Sequence, residues 1–406
     1  MPATRCAVAI VGAGPAGATC ANALMKAGGD GVALIDKATF PRDKACGDGL
    51  GPGVIPILEE LGLDDILKAH KRVTHMSMSS PFGNEMELDT SLYDRRSPLG
   101  YVITRREFDH ALAAAALSRG AMDLTGWDLE AAEFRDDAWH LKLKHTGTDE
   151  RRDVRADVLI GADGATSKVR RILGEPFNVD RHTSIAVRIY AKSDNHIAPH
   201  QQLDVVDRLP TPGYGWLFSD GDGLLNIGVG TEVETYKSQS RHLKEMLGIY
   251  RAHLGPSFEF DEPSNNASVL PMASQLPRLS FPEKRAALIG DAASMINPLT
   301  GEGIFYGMFA GMELGKNLAN PKRHPDNVPG VLADYETDFR KTFVPHFRGN
   351  YLLRKMLERP RLLDMMVKAC ARNHNLSYDY IEYFMGNEGS LSRKPLYNIA
   401  LRTLLS

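Results

Sequence analysis

The chain has only four cysteines among its 406 residues, Cys6, Cys20, Cys46 and Cys370. They are too few and too irregularly spaced for a disulfide scaffold, which fits a reducing cytoplasm. Neither Cys-x-x-Cys nor His-Glu-x-x-His occurs, and the 13 histidines fall into no metal-ligand spacing, so no metal is expected. A formal charge of -3 lacks the basic surplus of a nucleic-acid binder. No apolar run reaches the roughly 18 residues of a spanning helix. The start, Met1-Pro2-Ala3-Thr4-Arg5, lacks the charged head, apolar stretch and cleavage site of a signal peptide, so a cytoplasmic protein is expected. No serine–histidine–acid constellation for hydrolysis stands out. What is present is ordinary for a folded globular chain, 43% apolar and 24% charged, long enough for one large domain or several interleaved ones.

Against this background one segment carries chemistry. Residues 6–11 read as a short buried strand and residues 16–26 as a helix, joined by Gly12-Ala13-Gly14-Pro15-Ala16-Gly17. Gly12 permits a tight turn, Gly14 lets the backbone approach a pyrophosphate, and Gly17 lets helix and strand pack closely. The helix amino terminus offers N–H groups to phosphate. A second strand over residues 31–35 ends at Asp36, where a carboxylate can accept hydrogen bonds from ribose hydroxyls. The same acid disfavours a phosphorylated ribose, because two negative groups would face each other. A lone glycine triplet is also an ordinary helix-start turn. The order strand, triplet, helix, strand and acid is what favours a dinucleotide.

The string Phe40-Pro41-Arg42-Asp43-Lys44-Ala45-Cys46-Gly47-Asp48-Gly49-Leu50 is the sharpest in the chain. Together with the glycine motif it resembles the geranylgeranyl reductase family of flavoproteins, within the aromatic-hydroxylase-like fold shared with flavin-dependent halogenases. The family pattern Pro-x-x-Lys-x-Cys-Gly-Gly ends here in Gly47-Asp48, which puts a carboxylate near the expected isoalloxazine entrance. Three further segments carry the resemblance: Thr104-Arg105-Arg106-Glu107-Phe108-Asp109, residues 157–170 around Asp163-Gly164, and Gly290-Asp291. The resemblance implies FAD, with Arg105 approaching the pyrophosphate or ribityl portion, Asp163 helping position the flavin and Asp291 contacting the ribityl chain. Pro15, Ala16, Lys37, Cys46, Gly47 and Leu129 complete the expected cofactor-binding set with Gly12, Gly14, Gly17, Asp36 and Gly290. Gly301-Glu302-Gly303-Ile304 begins a helix-compatible run. Backbone N–H groups there would stabilise negative charge on a reduced ring, and Gly301 and Gly303 would let the ring lie against the main chain, with Ile304 in the same cofactor-binding set.

Residues 184–190, 202–206 and 224–230 alternate as strands do, and suggest an antiparallel sheet with one face as a substrate wall. Tyr214-Gly215-Trp216-Leu217-Phe218-Ser219 places Tyr214, Trp216 and Phe218 on one strand face. In the resembling family this stripe lines a cavity for a polyprenyl chain, and serine here replaces a proline. An alternating aromatic stripe equally often fills a core. Cys46 is the candidate catalytic residue: in the resembling family its motif faces the flavin, where a thiol would either donate a proton or pack beside the ring.

From about residue 331 the pattern turns helical, with stretches at 331–341, 351–357 and 362–369. Apolar residues interleaved with Arg354, Lys355, Arg359, Arg361 and Lys368 would either cover the substrate region or touch a membrane surface. The expected fold is α/β: a Rossmann-like FAD-binding domain of aromatic-hydroxylase type over residues 1–70, 100–170 and 285–330. A mixed or antiparallel-sheet substrate domain would take residues 71–99 and 171–284, and a helical carboxy-terminal region residues 331–406. The function implied by the resemblance is FAD-dependent reduction of carbon–carbon double bonds in an isoprenoid lipid, with NAD(P)H or reduced ferredoxin as electron donor. A flavin monooxygenase or halogenase, and a flavin electron-transfer protein serving a redox partner, are the alternatives.

Overall fold

The computed structural model describes residues 3–90, 99–193, 195–319 and 327–385. Residues 386–406 of the expected helical region therefore lie outside the described residues. The strand Thr4–Val11 occupies the middle of an eight-stranded sheet. It pairs in parallel with Val32–Asp36 on one side and Arg151–Gly161 on the other. Met122–Thr125 and Ala286–Leu288 extend the parallel set outward. Burial on both faces explains the uninterrupted apolar run at Ala9, Ile10 and Val11. The hairpin Trp127–Arg135 with Ala138–His145 adds antiparallel strands to the edge of Arg151–Gly161.

Helix Pro15–Lys26 leaves the central strand through Gly12, whose φ of 107° suits glycine. A Cβ on Gly12 would sit 2.1 Å from the Ala162 carbonyl oxygen, and one on Gly17 1.9 Å from that of Gly12. Helix Ile304–Ala319 lies against this first helix along Gly307, Gly311 and Gly315. A Cβ at Gly311 would be 2.3 Å from the Ala16 carbonyl oxygen, and one at Gly315 2.5 Å from that of Cys20. The two helices thus meet backbone to backbone.

A second, seven-stranded sheet runs in the order Phe258–Pro271, Thr183–Ser193, Leu225–Glu232, Gly213–Ser219, His200–Asp204, His75–Ser79 and Glu85–Asp89. All neighbours are antiparallel except His200–Asp204 with His75–Ser79, so the sheet is mixed. Helix Leu243–Leu254 covers one face, its Tyr250 ring beneath Gly215. The opposite face carries Tyr214, Trp216 and Phe218.

The helical stretches expected at 331–341 and 351–357 are one continuous helix, Val328–Leu357, with Pro345 inside it. Buried Phe339, Phe343 and Phe347 pack along it against Phe305 and Tyr306, and this tertiary burial outweighs the local cost of proline. Helices Pro360–Arg372 and His374–Met385 then cover the edge strands of the second sheet, where Leu363, Met366 and Val367 share a core with Met76, Met86 and Leu88. Among the described residues no helix is long and apolar enough to cross a membrane.

Candidate active site

A cavity of about 1010 Å³ runs between the two sheets, at the upper end of the range typical of small-molecule sites. At one end it is lined by Gly12, Gly14, Pro15, Ala16, Asp36 and Lys37. Asp36 ends its strand with Oδ2 accepting from Ala13 N at 2.8 Å and Oδ1 from Ala38 N at 2.9 Å. Gly17 faces the strand instead, as its packing requires.

Above the start of the first helix lie two arginines. A Cβ on Gly14 would meet Arg42 Nη2 at 3.7 Å and Arg105 Nη2 at 3.8 Å. Both guanidinium groups are held by one fully buried carboxylate: Arg105 Nε and Nη2 donate to Asp109 at 2.6 and 2.7 Å, and Arg42 Nη1 lies 2.7 Å from Asp109 Oδ2. Arg105 opens the helix Arg105–Ser118, so Asp109 is one helical turn away, on the same face. Arg106 is exposed. Two cations over a glycine backbone at a helix amino terminus, with a carboxylate at the neighbouring strand end, match a diphosphate and a ribose. FAD therefore fits the residues present. Gly14, Arg42 and Arg105 would hold its diphosphate, and Asp36 its ribose.

Further along, Lys44 Nζ lies 3.1 Å from Asp291 Oδ2, and both line the cavity. Gly290 follows the strand Ala286–Leu288 with a φ of 63°, tight against Ala16. Gly301, Gly303 and Ile304 also line the wall, and Tyr214 Oη donates to the Thr300 carbonyl at 2.7 Å. The helix start here is less open than expected, because Glu302 Oε1 already accepts from Phe305 N at 2.9 Å. Burial raises the Glu302 pKa, opposed by the backbone N–H groups it receives.

Asp163 lines the cavity with its carboxylate committed to the next turn: Ser167 Oγ donates to Oδ1, while Lys168 N and Val169 N donate to Oδ2. Burial raises its pKa against these bonds. Lys168 Nζ donates to Asp128 at 2.7 Å and to the Leu129 carbonyl at 3.0 Å, bringing Leu129 to the wall beside Asp163.

The Cys46–Gly49 loop lies at the cavity wall, over the aromatic strand of the second sheet. Cys46 is half-buried and lines the space; burial raises its pKa, while the Arg105 guanidinium opposes the rise. Beneath it, a Cβ on Gly47 would meet Phe218 at 3.1 Å and Trp216 at 3.4 Å. The aromatic stripe is thus both cavity wall and floor of the loop, with neighbouring ring centroids 6.3 and 6.5 Å apart.

The expectation for Asp48 needs correction. Its carboxylate does not stand at a cavity mouth but is turned away and buried, with a left-handed φ of 61° that aspartate tolerates where the family pattern has glycine. Tyr190 Oη and Asn226 Nδ2 donate to Oδ2 at 2.7 and 2.8 Å, and Arg105 N donates to Oδ1 at 3.1 Å. Burial raises its pKa from 3.8 to about 6, against those bonds and the nearby Arg188. Asn226 also donates to the Cys46 carbonyl at 2.8 Å and accepts from Trp216 Nε1 at 3.0 Å. Asn226 therefore ties loop, stripe and buried acid together.

Sequence reading missed Asn226, Arg42 and the role of Asp109. The i, i+4 spacing of Arg105 and Asp109 was a usable signal; for Asn226, mid-strand, there was none.

At its far end the cavity is apolar, lined by Met76, Met78, Met86, Leu203, Leu363 and Ile381. The FAD binding domain family matches residues 5–343. A menaquinone reductase from Mycobacterium tuberculosis is 36% identical over 307 residues, covering 74% of this chain and 73% of that protein. A digeranylgeranylglycerophospholipid reductase from Methanopyrus kandleri is 28% identical over 344 residues, 83% of this chain and 87% of that protein. The crystal structure of a geranylgeranyl bacteriochlorophyll reductase-like protein from Thermoplasma acidophilum shares the fold, with a TM-score of 0.81 at 21% identity over 98% of this chain and 96% of that one. The chain belongs to the FAD binding domain family and is a FAD-dependent oxidoreductase.

Proposed function

We propose that the protein reduces a carbon–carbon double bond in the isoprenoid chain of a lipid, a prenylated quinone foremost. The observation that carries this reading is the continuity of one cavity from the glycine–arginine cradle to the methionine- and leucine-lined arm. An apolar polyene gains by burial there, and unbranched methionines adapt to its irregular outline. The relatives named menaquinone reductase and digeranylgeranylglycerophospholipid reductase favour a lipid-borne chain over a free diphosphate.

Reduced FAD, when bound, supplies a hydride. The protein contributes orientation and dryness: Tyr214, Trp216 and Phe218 hold the chain against the cofactor side, and the apolar arm excludes water. Burial keeps the Cys46 thiol protonated at neutral pH. Asn226 fixes its loop through the Cys46 carbonyl. In this reading Cys46 Sγ gives its proton to the alkene carbon opposite the one that accepts hydride. The domain division by which residues 1–70, 100–170 and 285–330 hold FAD and 71–99 with 171–284 hold substrate belongs to the same proposal.

The test is anaerobic incubation of chemically reduced holoenzyme with a set of prenylated quinones and ether lipids, followed by mass spectrometry. Gain of two hydrogens per reduced bond without oxygen is the expected result. Oxygen-dependent insertion of a hydroxyl or halide into an aromatic substrate, with all polyenes unchanged, overturns it.

A further inference from the structure

The hairpin His75–Ser79 with Glu85–Asp89 and the corner between helices Val328–Leu357 and Pro360–Arg372 each contribute to the apolar arm, through Met78 and Leu363. Their outer surfaces are unusual. Phe82, at the hairpin tip, is 58% exposed; Leu352, Met356 and Met365 are 65%, 51% and 48% exposed. These four are the majority of the exposed large apolar side chains among the described residues, where only Phe177, Val179 and Val269 join them.

Phe82 and Met365 lie on elements that are fastened together, and Leu352 and Met356 lie on the helix that leads into the second of these. Asp364 Oδ1 accepts from Ser80 Oγ at 2.6 Å and from Asn84 Nδ2 at 2.7 Å, so the hairpin tip is fastened to the helix that carries Met365. Leu352 and Met356 are one turn apart near the end of the long helix, Arg359 lies in the turn that follows, and Arg361, Met365 and Lys368 share a face of the next helix. The helix corner is basic, while the hairpin beside it carries exposed Glu85 and Glu87 on its strand beyond Phe82. Over residues 351–372 every exposed charged side chain is basic, and the two acids, Glu358 and Asp364, are turned inward and paired. Arg359 and Arg361 have no ion pair among the described residues.

We propose that this corner docks on an anionic bilayer surface, with Phe82, Leu352, Met356 and Met365 in the headgroup region and Arg359 and Arg361 against lipid phosphates. Apolar side chains beside cations are the combination that interfacial binding needs, since either alone is weak, and here the cations Arg359 and Arg361 lie on the helix side of the patch, on a different element from Glu85 and Glu87. The proposed contact sits beside the site, because the same hairpin and helix also wall the apolar arm, through Met78 and Leu363. The inference rests on the lipid-substrate reading for its purpose and on the surface itself for its existence.

The test is sedimentation of FAD-loaded protein with phosphatidylcholine vesicles, with and without phosphatidylglycerol. The expected result is binding to the anionic vesicles, weakened at raised ionic strength. Each cation at an anionic surface is worth about fivefold, so Arg359→Ala with Arg361→Ala is expected to lower partitioning by more than about tenfold. Phe82→Ser with Met365→Ser lowers it by a comparable factor. Arg135→Ala with Lys142→Ala, on the distant hairpin, leaves it unchanged. Absence of binding, or equal loss in the control pair, overturns the proposal. So does a solution dimer that Phe82→Ser with Met365→Ser dissociates while vesicles are ignored, since the patch is then a self-interface. Vesicle binding with no lipid gaining hydrogen leaves the surface standing and removes the substrate reading instead.

Discussion

Replacing Asp48 with asparagine tests the buried cluster under the Cys46 loop most directly. Burial raises this carboxyl from 3.8 to about 6. Between those values the folded protein keeps a proton that the unfolded chain has released. The contribution of Asp48 to stability is therefore greatest below about pH 4 and declines as pH rises to about 6. At about 1.4 kcal/mol per pH unit the decline is on the order of 3 kcal/mol. Asparagine does not titrate, and its amide oxygen can accept from Tyr190 and Asn226 as Oδ2 does. Its NH2 group must then face the Arg105 N–H, which donates to Oδ1 in the native protein. Two opposed donors cost about 1–3 kcal/mol at every pH. Wild type is thus expected to be the more stable protein at acid pH, and Asp48→Asn level with it or ahead at neutral pH. Urea midpoints of the FAD-loaded proteins, followed by circular dichroism across this range, measure the difference, in which titration of all other groups cancels. A gap that stays constant with pH would mean Asp48 is ionised in the folded state throughout, and the argument from burial fails.

Cys46→Ala is expected to retain FAD and lose alkene reduction; equal turnover at full flavin and substrate loading would remove its proton-donor role. Trp216→Phe leaves Asn226 Oδ1 without its 3.0 Å donor inside the protein, so a loss of about 1–3 kcal/mol is expected, read as a lower thermal midpoint. Gly311→Ala forces a methyl to 2.3 Å from the Ala16 carbonyl oxygen. A destabilisation of about 1–3 kcal/mol or more, with lower flavin content on purification, is the expected result, and a variant with native flavin absorbance and melting would contradict the packing described.

The flavin half was legible because its signals are local. Gly12, Gly17 and Asp36 act on backbone only a few residues or one strand away, and the strand–helix–strand order is written in consecutive residues. The second sheet was legible as alternation, and residues 71–99 were expected in the same domain, but the parallel pairing of His200–Asp204 with His75–Ser79 joins segments more than a hundred residues apart and was not legible in either. Asp48 was misplaced for a related reason. Its sequence neighbours include cavity-lining residues, yet the left-handed backbone turns its carboxylate toward Tyr190 and Asn226. The long helix Val328–Leu357 was split because proline and glycine inside it argue locally for a break, while the phenylalanines that hold it together find partners on another helix.

The glycine-lined seam between helices Pro15–Lys26 and Ile304–Ala319 has a mechanical consequence. One of these helices begins at the glycine–arginine cradle and the other just past the Gly301–Gly303 wall, so their contact acts as a fixed gauge between two parts of the cavity wall. With main chain resting on main chain, little side-chain slack remains to let one slide along the other. Whatever opens this molecule to admit a bulky guest must therefore bend it elsewhere, leaving the spacing of these two walls untouched.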